Sequence, residues 1–401
     1  MPTSPYGSEV RLLLRSALLL FTFTVVVGIL NGVDLVEFDR KFLLTHVHAG
    51  TLGWITISVV AATLWLFALG DPAPQGRSLP SMLALFTAVA IAGYAVAFLT
   101  TFGVLRPIVG GFTLFAILGA WVWALRQTPG RTLSVPHVGI LAALTMSVVG
   151  AVLGVLLGYR ISNGSELVPA TAAEAHPAAM VVGFLVPVGM AFIEWVLDPA
   201  SVTRRATLAG WLQIGLPFTG GVTAMVGLLL SIPPLITLGL PFEFIGLGIL
   251  VYRLRGPLAA ALNPMVVGPR RYGPVALVFL FVNIGILTYL VVNYFSQELP
   301  PPLHVLLAMD HAIFIGVMTN CIFAVVMLFR REVTPMVDQV VFYGLNLGLI
   351  AFLAGLLLDS SPLKHAGTPV LGIALLVGIA GNFMALGGGV EAPAERETAM
   401  R

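Results

Sequence analysis

The sequence has little of what a soluble enzyme needs. Only 9% of the 401 residues are charged, whereas 58% are apolar. No polar stretch is long enough to form a sizeable soluble domain. The polar segments also contain no Gly-rich phosphate loop, no nucleophile with its base and no pair of catalytic carboxylates. The composition therefore favours a chain whose main solvent is lipid.

Cysteine is almost absent, since Cys321 stands alone. A single thiol excludes an internal disulfide, a thiolate zinc site and a Cys-x-x-Cys-His attachment of haem. Positive charge is also scarce: the net charge is +2, which provides no footprint for nucleic acid. Any haem must therefore be held without a covalent bond, and no nucleic-acid partner is expected.

Long apolar stretches are what the sequence has in abundance. A bilayer-spanning helix needs roughly 20 mostly apolar residues, and the chain divides into about twelve such stretches. We therefore expect an all-α polytopic protein embedded in a lipid bilayer, with a single membrane domain over 1–401 and a disordered tail at 391–401. The predicted spans are 11–33, 42–69, 81–103, 106–126, 135–159, 173–197, 206–231, 234–254, 274–295, 303–330, 336–358 and 368–390.

The basic residues are distributed unevenly between the two sides of these spans. With the N-terminus inside, fifteen fall on the inner side and five on the outer side. Because cytoplasmic loops retain positive charge, we expect a bacterial inner-membrane protein with both termini in the cytoplasm. The outer five are Arg40, Lys41, Arg106, Arg160 and Lys364. The inner residues are Arg11, Arg15, Arg77, Arg126, Arg131, Arg204, Arg205, Arg253, Arg255, Arg270, Arg271, Arg330, Arg331, Arg396 and Arg401.

Six of the seven histidines fall on the outer side in this topology, and only His137 is inner. The outer ones stand at or near the starts of spans 2, 6, 10 and 12: His46, His48, His176, His304, His311 and His365. Spans 2, 6 and 10 are four apart, which predicts three pseudo-symmetric four-helix units at about 1–130, 131–260 and 261–390.

Short local similarities support these units. A glycine follows His46 and His176 after the same seven residues, and the two histidines are 130 positions apart. The segment from His48 to Gly53 can also be aligned with His311 to Gly316, with matching histidine, alanine and glycine.

Histidine at membrane depth is costly unless it faces the interior with a partner, so it indicates a functional site. His48 and His311 are the strongest candidate ligands, because each lies several residues inside its span and the two match in context. His46 and His176 are weaker candidates. A histidine near a helix start is otherwise an interfacial residue or a cap, which we prefer for His137, His304 and His365.

His46 and His48 are separated by about 200° of helical rotation, so they can serve two sites but hardly one metal. We expect His48 to pair with His311 around one haem iron, and His46 with His176 at a second haem or metal. Neutral imidazole is a common axial ligand of haem iron. Glycines would allow a flat macrocycle to approach the backbone, or simply allow tight helix packing; they are Gly50, Gly53, Gly183 and Gly316.

The segment Thr45-His-Val-His-Ala-Gly-Thr-Leu-Gly-Trp54 resembles the second helix of haem-copper oxidase catalytic subunits, a superfamily that includes nitric oxide reductases. The resemblance extends to the layout of that family: twelve helices in three arcs, cytoplasmic termini, and haem ligands on the second and tenth helices. It implies haem ligation by His48 and His311, with His176 where the family has a ligand of its non-haem metal. The chain's length is closer to that of compact NnrS-type relatives, implicated in the nitric oxide response, and of short oxidase-subunit-like proteins.

The sequence also departs from that family. The seventh span, Gly210-Trp-Leu-Gln-Ile-Gly-Leu-Pro-Phe-Thr219, has no histidine, although the oxidases carry an adjacent pair there. The family's histidine-x-histidine on the tenth helix is replaced by a similar pair on the second span, and the sixth span lacks the ligand–tyrosine spacing. The oxygen-reducing metal centre is therefore expected to be missing or rebuilt.

A few other polar residues are candidates for function. Glu243, within span 8, is a candidate proton relay, with a helix-packing hydrogen bond as the alternative. Glu194 is expected at the inner interface. Asp310 could help to orient an imidazole, although adjacent residues point about 100° apart on a helix. Arg160 and Arg106 are the candidate partners of haem propionates, and ordinary interface charge is the alternative; Lys364 is third.

The leading hypothesis is a membrane b-type haem protein of the haem-copper superfamily with one or two haems b, and copper or iron as a candidate second metal. It would bind or reduce nitric oxide or dioxygen, or pass electrons from a donor protein or quinol. A five-coordinate haem favours binding a diatomic gas, whereas a six-coordinate haem favours electron transfer. Activity like that of a nitric oxide reductase or oxidase stays open. The alternatives are a twelve-helix secondary transporter without haem and an assembly subunit without a cofactor.

Overall fold

The fold is a bundle of long apolar helices. The computed structural model describes residues 4–71, 78–100, 103–263, 266–329 and 335–387, and these ranges contain no strand. Twelve helices are long and apolar enough to cross a membrane, which confirms the predicted all-α polytopic class. They are α1 (Gly7–Gly32), α2 (Arg40–Leu66), α3 (Leu79–Thr100), α4 (Leu105–Arg126), α5 (Val135–Asn163), α6 (Ala172–Leu197), α7 (Leu208–Leu229), α8 (Pro233–Ala261), α9 (Pro269–Gln297), α10 (Leu303–Phe329), α11 (Pro335–Leu357) and α12 (Ser361–Ala385).

Some of the sequence predictions concern other parts of the chain. The predicted disordered tail 391–401 lies outside the described residues, as do five of the basic residues counted for orientation: Arg77, Arg330, Arg331, Arg396 and Arg401. The division into three four-helix units and the orientation in the membrane stay predictions.

Two helix boundaries differ clearly from the predicted spans. Helix α8 continues past the predicted end at 254 to Ala261, because its arginines belong to the helix and not to a loop. Helix α12 begins seven residues before the predicted start at 368. Its first turn is polar and therefore fails a hydropathy criterion, but it contains a proline within its first two positions, where the missing N–H costs no helical hydrogen bond.

Three helices, α2, α6 and α10, form the centre of the bundle. In their most apolar windows 89%, 94% and 78% of residues are buried, against 33–56% in the other nine spans. Trp65 of α2 stacks on Trp195 of α6, with ring centroids 5.2 Å apart. Trp54 of α2 donates its indole N–H to Thr319 of α10 at 3.0 Å. The three helices that carry the candidate ligands are therefore those most shielded from lipid.

The remaining helices surround this centre in an order that follows the chain. Helix α1 contacts α3 and α12, α4 contacts α3 and α5, and α5 contacts α7. Helix α8 contacts α7 and α9, and α11 contacts α10 and α12. As a result, the N-terminal halves of α2, α10 and α12 and the C-terminal half of α1 lie at the same end of the bundle.

Each central helix changes from α to π geometry shortly after its histidines. The π-helical segments are Ala49–Thr56, Ala179–Leu185 and Ala312–Thr319. In two of them a threonine hydroxyl donates to the carbonyl five residues earlier, Thr56 to Thr51 at 3.0 Å and Thr319 to Phe314 at 2.9 Å. Such segments are rare in proteins and are often found at functional sites.

A buried ion pair joins α6, α7 and α8. Arg253 donates to both carboxylate oxygens of Glu194, at 2.7 and 3.0 Å, and also to the side chain of Gln213, whose own amide donates to Glu194 at 3.1 Å. The Glu194 side chain is only 2% exposed. The charge of Glu194 is therefore compensated inside the bundle, and its depth relative to the inner interface stays a prediction.

We expect Arg253→Met to lower the free energy of unfolding by about 3–5 kcal/mol, since it leaves the Glu194 carboxylate buried without a cation. Thermal unfolding in detergent measures the effect. The matched control is Arg255→Met on the same helix, because the Arg255 side chain is exposed and donates to the Tyr252 carbonyl at 2.8 Å. Equal stability of the two variants would contradict the assignment.

Candidate functional site

A cleft between α1, α2, α10, α11 and α12 contains two of the predicted ligands, His46 and His311. The space not occupied by protein atoms is about 870 Å³ when the part that opens to the exterior is included. The walls are mostly apolar and aromatic. The polar groups that reach it are the two imidazoles, the Asp310 carboxyl and three threonines, Thr24, Thr319 and Thr368.

The imidazole of His311 is oriented by its own helix. Its Nδ1 lies 2.7 Å from the Leu307 carbonyl oxygen. A carbonyl can only accept a hydrogen bond, so Nδ1 carries the proton and a neutral ring keeps its lone pair on Nε2. Histidines that ligate metals usually hold their second nitrogen in this way. Asp310 therefore does not orient this ring; it supplies a carboxyl group to the cleft.

The imidazole of His46 lines the same cleft as that of His311. Its Nδ1 is buried and has no hydrogen-bond partner in the described part of the chain. A Cβ added at Gly28 of α1 would come within 3.2 Å of the ring, so the glycine makes room for it. His311 is the ionisable group within electrostatic reach of His46.

His48 points away from this cleft, toward α3 and α4. Its Nδ1–H donates to the Leu44 carbonyl at 2.7 Å. The ring stacks on Phe98 at a centroid distance of 4.4 Å and meets Tyr94 edge-on at 5.8 Å.

His176 is fixed in a similar way by α5. Its Nδ1–H donates to the Gly150 carbonyl at 2.8 Å, and a Cβ added at Gly154 would come within 2.9 Å of the ring. The expected pairing of His48 with His311 was therefore wrong: His46 shares the cleft with His311, and His48 packs against Phe98 and Tyr94 of α3. The reason is that helical rotation separates His46 from His48 but does not tell which flank of α2 faces α10.

The remaining histidines for which contacts are described have structural roles. His137 and Ser134 form a capping box at the start of α5, with Ser134 Oγ 2.7 Å from Nδ1, which confirms the cap. His365 Nε2 lies 2.7 Å from Asp34 Oδ2, and Lys364 donates to both Asp34 oxygens at 2.9 Å. Both neighbours lower the pKa of Asp34, and the hydrogen bond from the Lys364 ammonium has a larger effect than the one from His365.

The three cations proposed for haem propionates do not line the cleft. The Arg106 guanidinium lies 3.8 Å over the Phe98 ring and donates to the Phe98 carbonyl at 3.1 Å, which places it beside His48. Arg160 donates to the Val168 carbonyl at 2.9 Å, within the connection from α5 to α6. Lys364 is occupied by Asp34, one helical turn before the cleft residue Thr368.

Glu243 lies apart from the histidines, at the interface of α7 and α8. Its side chain is 1% exposed, and neither oxygen has a hydrogen-bond partner among the residues described. A Cβ added at Gly220 of α7 would approach one oxygen to 3.0 Å. The packing hydrogen bond considered as an alternative is not formed by the described residues, and the proton-relay role stays a prediction.

In the described ranges no three His, Cys, Asp or Glu side chains come close enough together to hold a metal ion. The two-imidazole arrangement therefore suits a cofactor that brings its own equatorial ligands. Sequence reasoning missed the contribution of α1, where Thr24 and Gly28 face the cleft four residues apart; this helical spacing of small residues was the available signal.

The chain was also compared with models of protein families and with curated proteins. No family model matches it, and no curated protein matches it.

The Asp34 cluster predicts a pH dependence of stability. The folded-state pKa of Asp34 is lowered, so its contribution is present above the carboxyl's unfolded pKa, about 3.9, and is lost as the pH falls through the folded value. We expect Asp34→Asn to lower the melting temperature slightly at pH 7, because exposed ion pairs contribute little. The difference from wild type should close in acid.

The matched control is Glu37→Gln, which changes an exposed carboxyl in the same connection. It should leave the melting temperature unchanged at both pH values. A difference between wild type and Asp34→Asn that grows in acid would contradict the assignment of the ion pair.

Proposed function

We propose that this chain is a membrane b-type haem protein of the haem-copper oxidase superfamily that passes electrons, with one haem held between His46 and His311. The observation that carries the proposal is the shared cleft, in which two imidazoles from different central helices face a common space. A bound haem would supply one-electron chemistry at its iron. The protein would supply both axial ligands and a largely apolar pocket.

The residues present fit such a group in three respects. His311 has its Nε2 lone pair available because Nδ1 is occupied, and His46 has a buried nitrogen that lacks a partner. In the wall, Gly28 makes room for the His46 ring and Gly50 for the Thr24 side chain, each of which would lie 3.2 Å from an added Cβ. Phe21, Trp54 and Phe352 give the aromatic, low-dielectric surroundings that keep water from the iron and so influence its potential.

The number of imidazoles that hold the iron decides which of the functions considered for such a haem is favoured. When both axial positions are filled by protein, no position is left for a diatomic gas, so electron transfer is favoured over binding or reducing nitric oxide or dioxygen. A second, non-haem metal is not part of the proposal, because the described residues offer no group of three donors. The proposed partners are an electron-donor protein or a quinol.

The membrane orientation belongs to the same proposal. The basic residues near the ends of the described helices support a bacterial inner-membrane location with cytoplasmic termini. The cleft then lies toward the outer side. The twelve-helix fold fits a secondary transporter equally well, so the experiment must separate these classes.

We expect the protein purified from haem-replete cells to show a Soret band. His46→Ala and His311→Ala should each lower the haem content by one equivalent per chain, because each removes an axial ligand. Pyridine haemochrome analysis measures this content, and gel filtration reports folding. His304→Ala, a histidine on the same helix as His311, is the matched control and should keep its haem. A colourless, folded wild-type protein would reject the proposal and favour the transporter.

Carbon monoxide tests the assignment of both axial ligands. The reduced wild-type protein should show little CO-induced change in its Soret band, because both axial positions at this site are filled. His46→Ala reconstituted with excess haem should gain a CO-shifted band, since one position opens. A full CO shift in wild type would instead indicate a five-coordinate, gas-binding haem.

A further inference from the structure

The same set of contacts recurs at the three central helices. In each, the π-helical segment begins at an alanine and carries a glycine four residues later: Gly53, Gly183 and Gly316. Each glycine lies against the helix that precedes it in the chain. An added Cβ would approach Leu20 of α1 to 2.8 Å, Met146 of α5 to 2.5 Å and Phe279 of α9 to 2.4 Å.

One helical turn further along α1, α5 and α9, a second set of equivalent contacts follows. Thr24 donates its hydroxyl to the His46 carbonyl at 3.5 Å, and Asn283 donates its amide to the Met309 carbonyl at 2.9 Å. In α5 the Gly150 carbonyl accepts from His176. His46, His176 and Met309 therefore occupy one equivalent position, three residues before the π-helical segment.

The residue directly before each π-helical segment gives a second equivalent position, occupied by His48, Ala178 and His311. The cleft described above combines the second position of α10 with the first position of α2. The three central helices follow one another in the order α10, α2, α6. Applying the same combination to the next pair, the second position of α2 with the first position of α6, gives His48 with His176. The third combination is Ala178 with Met309, which contains no imidazole.

We propose that His48 and His176 form a second two-imidazole haem site, between α2 and α6, equivalent to the site of His46 and His311. This inference rests on the proposed function. Both rings donate Nδ1–H to a backbone carbonyl, at 2.7 and 2.8 Å, which leaves Nε2 as the ligand atom of each neutral ring. Tyr94 links the two rings, since it meets His48 edge-on at 5.8 Å. It also lies 3.2 Å from a Cβ placed on Gly110, and that Cβ would be 3.6 Å from Val155, the neighbour of the Gly154 that contacts His176.

The surroundings of this second site supply what a haem requires. Gly154 makes room for the His176 ring as Gly28 does for the His46 ring. A Cβ added at these glycines would lie 2.9 Å from the His176 ring and 3.2 Å from the His46 ring. Arg106, stacked through Phe98 on His48, places a cation beside the site that can bind a haem carboxylate. The sequence prediction for Arg106 thus applies to this site and not to the first.

One difference between the two sites predicts the order in which they fill. The first is an open cleft, whereas at the second the Tyr94 ring reaches to 3.2 Å from a Cβ placed on Gly110 of α4. Because the Tyr94 ring also meets His48 edge-on at 5.8 Å, it packs against the second site, which is therefore less open than the first. Titration of haem into haem-depleted protein should load the cleft of His46 and His311 first.

Haem stoichiometry tests the second site. We expect two haems per chain in wild type and two low-spin signals by electron paramagnetic resonance. His48→Ala and His176→Ala should each retain one haem, whose spectrum matches that of the first site and thereby shows that the variant is folded. His46→Ala should retain the other haem, and His304→Ala should keep both.

The outcomes separate this inference from the proposed function. A single haem that is lost in His46→Ala and kept in both His48→Ala and His176→Ala overturns only the second site. Wild type without haem overturns both. Iron should equal haem in the purified protein; copper or excess iron that disappears in His176→Ala would mean a non-haem metal and would overturn the haem assignment. If His48→Ala and His176→Ala do not fold, the two low-spin signals of wild type decide.

Discussion

A hydrogen bond from an imidazole Nδ1–H to a backbone carbonyl is the interaction on which the arrangement of histidines depends. It occurs at His48, His176 and His311, with distances of 2.7–2.8 Å. Inside a bilayer no water is available to satisfy this donor, so the protein must provide the acceptor. The bond fixes the ring orientation and leaves the other nitrogen free, which turns a costly polar residue into a potential ligand.

Because α2 lies at the centre of the bundle, the imidazoles that it carries are shielded from lipid. Two histidines two residues apart face opposite flanks of one helix: His46 shares a cleft with His311 of α10, whereas His48 packs against Phe98 of α3. Because α2, α6 and α10 are the most buried spans, groups between them are shielded from lipid by the outer helices. On the C-terminal side of the histidines of α2, Trp54 hydrogen-bonds Thr319 of α10 and Trp65 stacks on Trp195 of α6, and both contacts hold the central helices together.

Much of this architecture can be predicted from the sequence. Hydropathy locates twelve spans because a lipid-enclosed helix must be apolar along its length. It places the start of a helix too late where the first turn is polar, as at Lys364 in α12. Recurring histidine and glycine spacings point to α2, α6 and α10. The pairing of the histidines could not be derived, since local spacing carries no information on the hand in which helices are arranged. The compensation of Glu194 by Arg253 likewise depends on neighbours far apart in sequence.

Each π-helical segment sets the rotation of the preceding histidines about the helix axis relative to the glycine within the segment. A π turn accommodates one residue more than an α turn, so the two ends of each central helix are rotated by about 100° relative to an uninterrupted α-helix. Loss of one residue between 49 and 56 would restore regular geometry and turn His46 and His48 off both flanks while the lower half of α2 stayed in place. In these three short stretches, chain length itself is under structural constraint, independently of side-chain identity.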